Sequence, residues 1–157
     1  MALFTTIEKI CPVQYSEDIT GSWKPIHTAA EYGQLEVLKY IFNQIDDKAP
    51  KTHDGQVPLH RAVKGDILEN CEFLIKNGSD IDPVDSYGYT PLHRAVWMYR
   101  GERGVVKALL DGGADPSKQD KEGRTPTSDA KHNHLHESAL RTELFKMLTD
   151  ANNCGLF

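Results

Sequence analysis

The chain has 157 residues, 39% apolar and 26% charged, with 18 basic against 23 acidic side chains for a formal charge of −5. That balance fits one ordinary globular domain, and an acid excess without clustered Lys and Arg argues against a nucleic-acid surface. Three widely spaced cysteines, Cys11, Cys71 and Cys154, are too few and odd in number for a disulfide framework, so reduced thiols and a cytoplasmic setting, with the nucleus open to it, are expected.

In chain order, the first segment lacks a basic start and its short apolar stretch is broken by Glu8 and Lys9, which argues against a secretory signal. Leu3, Phe4, Ile7 and Ile10 fall at helical spacing, predicting a capping helix and linker over 1–19. No run approaches the length needed to cross a bilayer. A phrase then recurs: Lys24-Pro25-Ile26-His27-Thr28-Ala29, Val57-Pro58-Leu59-His60-Arg61-Ala62 and Thr90-Pro91-Leu92-His93-Arg94-Ala95. Its prolines lie 33 residues apart, and Pro126 follows after 35, the period of a stacked helical array.

Proline at the first helical position loses only a donor that would be unpaired anyway, so a helix starts at each one. Three residues earlier, Gly55, Gly88 and Gly123 mark tight turns, with Ser22 in that place in the first copy. Apolar stretches at 37–42, 70–75 and 105–110 predict a second helix per unit, and glycines Gly78, Gly112 and Gly113 follow two of them as stop signals.

These residues resemble the ankyrin repeat, whose signature is a glycine turn, T-P-L-H-x-A and a second helix ending in G-A-D. The tetratricopeptide repeat has a similar period but lacks the proline-initiated helix. The resemblance implies an all-α solenoid of about four helix-turn-helix repeats joined by β-hairpin-like turns: 20–51, 52–84, 85–119 with a two-residue insertion, and a degenerate 120–150, before a tail at 151–157. Lys24 and Val57 replace the signature threonine, so those helix starts are expected to be weaker. Thr127 and Ser128 replace leucine and histidine in the fourth copy, which reads as a cap.

His27, His60 and His93 share one repeat position, and the resemblance makes them scaffold residues that bond near the helix start and the neighbouring turn. His132, His134 and His136 lack a nearby cysteine to complete a zinc site, so no metal is expected, though a metal-responsive module is the alternative they offer. No serine elbow, phosphate-cradling glycine loop or HExxH stretch occurs, and no catalytic residue or cofactor is expected. Cys154-Gly155-Leu156-Phe157 fits a prenylation box without a polybasic companion, making Cys154 a candidate lipidation site and a membrane-tethered adaptor a second alternative.

The repeat also implies which positions are free to grip a partner. They are Trp23, Glu31 and Tyr32; His53, Gln56 and Lys64; Ser86, Tyr87, Tyr89, Trp97 and Met98; and Arg124. Both tryptophans and three of the six tyrosines fall in this set, and Trp, Tyr and Arg dominate binding hot spots. Arg100 and Arg103 make the insertion in the third copy a locally basic turn. The expected function is non-catalytic binding of another protein by a monomeric adaptor or inhibitor. A masking role similar to that of inhibitor-of-NF-kappa-B proteins is one form this could take.

Overall fold

The computed structural model describes residues 23–99, 104–132 and 138–154, with the side chains of 132, 138 and 152–154 also set aside. The expected capping helix at 1–19, the turn at 100–103, His134 and His136, and the last three residues of the prenylation box lie outside these ranges. Eight helices run through the described residues: α1 Pro25–Tyr32, α2 Leu35–Gln44, α3 Pro58–Lys64, α4 Leu68–Lys76, α5 Pro91–Met98, α6 Gly104–Asp111, α7 Pro126–His132 and α8 Ser138–Cys154. Each proline of the repeated phrase opens a helix, as its fixed φ predicts.

Helices α1, α3, α5 and α7 pack in succession as one layer, and α2, α4, α6 and α8 as a second. Between the layers run Ile26, Leu59 and Leu92 from the first helices, and Leu38, Cys71, Leu74, Val106, Leu109, Leu144 and Leu148 from the second, all essentially sealed from solvent. The last helix, α8, thus supplies Leu144 and Leu148 to the same core. No described helix is long and apolar enough to cross a membrane.

The turns joining the units share one geometry. The backbone N–H of Thr52, Asp85 or Asp120 donates to the carbonyl four residues on, at 2.9, 3.1 and 2.9 Å. In return a side-chain oxygen of each accepts the N–H of Gln56, Tyr89 or Arg124, at 3.1, 3.0 and 2.9 Å. Gly55, Gly88 and Gly123 complete the turns at φ of 73°, 84° and 77°, where any side chain is strained. Neighbouring turns are stitched by Ser86 N–H to the Asp54 carbonyl, 2.8 Å, and Lys121 N–H to the Tyr87 carbonyl, 3.2 Å.

A second stitch uses histidine. In each of the first three copies Nδ1 accepts the N–H of the residue that caps the helix: Lys24 at 3.0 Å, Val57 at 3.3 Å and Thr90 at 3.1 Å. The opposite nitrogen reaches forward as a donor to a carbonyl of the next connection: His27 to Pro50 at 2.8 Å, His60 to Tyr89 at 2.9 Å and His93 to Arg124 at 3.2 Å. Both bonds require the neutral ring with its proton on Nε2. The helix starts at Lys24 and Val57 thus lack a hydroxyl cap but keep a histidine one, so the loss expected there is partly offset.

Burial holds the His60 ring well below its ordinary range, at about 4, and lowers His27 as well. Since the folded value for His60 lies below the unfolded one, its contribution is complete above about pH 6.5 and lost as pH falls toward 4, on the order of 3 kcal/mol in full. The stability gap between wild type and His60→Gln, measured by urea unfolding, should therefore narrow from about pH 7 to about pH 4.5. A gap that stays constant would show that the ring does not titrate through the fold.

The glycines make an internally controlled prediction. A Cβ on Gly88 would stand 2.8 Å from the Lys121 backbone nitrogen, whereas one on Gly123 meets nothing within 4 Å. Both alanine variants carry the cost of a left-handed residue, about 1 kcal/mol. Only Gly88→Ala must also push neighbouring turns away from each other, so its urea midpoint should drop clearly further than that of Gly123→Ala.

Candidate partner-binding surface

One wall of the array is formed by the turns and the inward side of the first helices, and its residues recur in register. Counting from each proline, the position two before holds Trp23, Gln56, Tyr89 and Arg124; three after, Thr28, Arg61, Arg94 and Asp129; six after, Glu31, Lys64 and Trp97. Because the register is fixed by the helix starts, side chains from these positions meet both within a unit and across to the next.

At the first and second units they meet in a closed polar network. Glu31 is 3% exposed and pairs with the Arg61 guanidinium and, at 3.0 Å, with the Lys64 ammonium. Arg61 also donates to Gln56 Oε1 at 2.9 Å and lies 4.2 Å from the Trp23 ring centroid. The Trp23 indole N–H is given to Thr28 Oγ1 at 2.7 Å. Glu31 and Gln56, expected on the open wall, are instead buried, because a guanidinium packed from α3 needs a carboxylate and an amide oxygen to compensate its lost water. Trp23 is half-buried in the same cluster, while Tyr32 and Lys64 remain exposed at its edge.

The third unit is built differently. Tyr87 and Tyr89 stack with centroids 6.1 Å apart, and Tyr89 lies 5.8 Å from the His93 ring. Arg94 and Arg124 flank Tyr89 with guanidinium carbons 6.0 and 5.7 Å from its centroid, and Arg124 donates to the Tyr89 hydroxyl at 2.5 Å. Burial pushes the Asp129 carboxyl of the next unit above the usual carboxylate range, against the pull of His93, Arg124 and the nearby Trp97 indole. Tyr89, His93, Arg94, Trp97 and Met98 line an open hollow of about 250 Å³. Around it Tyr87, Trp97 and Met98 are 59%, 57% and 42% exposed. His53 and Ser86 stand exposed on neighbouring turn tips.

Of the twelve positions picked from sequence, the structure thus gathers Tyr87, Tyr89, Trp97, Met98 and Arg124 at one place. The others form the inner network or its rim. Three groups escape a reading of the sequence alone. Arg94 pairs with the fully buried Asp85 at 2.7 Å, and Arg124 with the equally buried Asp120 at 2.9 Å. The recurring Asp at the start of two turns is the signal for both. Asn70 stands where the first and third units carry Val37 and Val105; its amide is buried and donates to the carbonyls of Ala29, Ala30 and Gly33 at 3.3, 3.2 and 3.1 Å, closing the end of α1. Polarity at an apolar register position is its signal.

No cluster of three or more metal-ligating side chains forms among the described residues. Burial pushes the Cys71 thiol up to about 12, far from the thiolate a nucleophile needs.

A family model described as ankyrin repeats, in three copies, matches residues 7–85 and 26–120. No curated protein matches the chain significantly.

The buried network carries its own test. Arg61→Met leaves Glu31 sealed with only Lys64 to compensate it, which should cost about 3–5 kcal/mol in urea unfolding. Glu31→Met combined with Arg61→Met should cost less than the single change, because both charges leave together. A double variant no more stable than Arg61→Met would mean that the pair does not act as a unit.

Proposed function

We propose that this chain, which belongs to the ankyrin-repeat family, acts by binding another protein through the wall of its third unit and the adjoining turn tips. Ankyrin repeats are generally protein-interaction modules, and repeats of this kind are typically not catalytic. The observation that carries the reading is the concentration of exposed Tyr87, Trp97 and Met98 around the hollow in one unit. Isolated exposed apolar residues are ordinary on any protein. Two aromatics and a methionine exposed together on a backbone fixed by turn stitches are the composition of a hot spot.

Rigidity supports the same reading. Tyr87 is held against the Tyr89 ring, so ordering it on binding costs little entropy. Arg124 beside Tyr89 and the turn-tip residues His53 and Ser86 give this surface a polar edge, and Tyr32 and Lys64 extend the wall toward the first unit. Masking of a partner's surface, as by an inhibitor, and tethering of two partners, as by an adaptor, both follow from such binding.

Affinity purification from cells with wild type and with Tyr87→Ala, Trp97→Ala protein tests the reading. Both side chains are mainly exposed, so circular dichroism and the melting curve should be unchanged. Partners retained by wild type should be lost from the variant. Persistence of every partner would place binding elsewhere on the chain.

A further inference from the structure

We infer that the hollow of the third unit takes an extended segment of a protein partner in which a large apolar side chain stands beside a carboxylate. This deepens the binding reading above and rests on it. At about 250 Å³ the hollow is smaller than the pockets that enclose whole drug-sized molecules, and it suits one side chain of a peptide. Its floor and sides are rings, with the Met98 side chain as an adaptable edge.

The charge preference comes from how the ion pairs along this wall are layered. In each, the acid is buried and the base lies over it: Lys64 is 41% exposed above Glu31, Arg94 25% exposed above Asp85, and Arg124 35% exposed above Asp120. A partner approaching this wall meets ammonium and guanidinium groups, although the chain as a whole is acidic. Arg94 gives Nη2 to Asp85 at 2.7 Å and keeps a quarter of its side chain exposed beside the hollow it lines. The exposed acids nearby, Asp54 and Glu122, sit out on turn tips, each beside a basic neighbour, His53 and Arg124. A cationic segment filling the hollow would have to place its charge against Arg94, which lines it, at a repulsive cost, and Lys64 stands one unit earlier in the column that holds Trp97.

The probe is a phage-displayed library of random heptapeptides selected on the whole chain and counter-selected on Trp97→Ala. The sequences recovered should carry Asp or Glu within two residues of Leu, Met, Phe or Trp. A synthetic peptide of the recovered sequence should change Trp fluorescence on binding, weaken as salt is raised, and lose about tenfold in affinity on Arg94→Gln. Lys64→Gln serves as a second variant should loss of the Asp85 partner disturb the turn, and it should weaken binding in the same direction. Recovery of Lys- or Arg-flanked peptides, or binding that Trp97→Ala leaves intact, would overturn the assignment. So would a failed selection while Tyr87→Ala, Trp97→Ala still sheds cellular partners, in which case the binding wall stands and the peptide does not. Failure of both experiments would remove the wall itself.

Discussion

The two-ended use of a neutral imidazole is the constraint on which this array depends. Each of His27, His60 and His93 closes the start of its own helix with one nitrogen and holds the following connection with the other. One side chain thereby fixes both a helix start and the spacing to the next unit. In the fourth unit Ser128 stands in the histidine position, and its hydroxyl accepts the Thr125 N–H at 2.9 Å, doing the local work of Nδ1. The task at the helix start thus passes from an imidazole to a hydroxyl without moving in the repeat.

With spacing set by backbone and imidazole, the remaining wall positions are released from structural duty to different degrees. The inner network around Arg61 consumes its side chains: a buried guanidinium is tolerable only when Glu31 and Gln56 are buried with it. The third unit solves the same packing position with Tyr89, whose ring covers ground that Gln56 covers by hydrogen bonding. A ring needs fewer partners than an amide when half-buried, so its neighbours Tyr87, Trp97 and Met98 stay available at the surface.

Proline, glycine and histidine are readable in the sequence because each acts within a few residues of itself, through a fixed φ, a positive φ or a cap three residues back. Their recurrence then exposes the period, and the period the two layers. The wall is only partly readable. Nothing local to Glu31 signals burial; its fate is decided by Arg61, thirty residues on, and by the register that brings the two together. Asn70 is the reverse case, a polar residue whose three carbonyl partners belong to the preceding unit. Such residues become legible once the copies are aligned and a position is compared down its column rather than along the chain. Threonine at the helix starts matters less than its place in the repeat suggests, because the histidine three residues on accepts the backbone N–H of whatever residue stands there.

Comparison down a column also explains why the exposed aromatics are fixed in place. Glu31 of the first unit reaches the position three after the next proline, where it meets Arg61; Trp97 of the third unit reaches the same position one copy on, where it meets Asp129. The array therefore uses a single cross-unit contact in two versions. In the first, both members are buried and the contact locks neighbouring units. In the second, the carboxyl is buried while the indole beside it stays 57% exposed, so the same register that joins units in the first version turns a large ring outward in the second. A ring set by the register of the scaffold presents its face to a partner at a position that folding has already fixed.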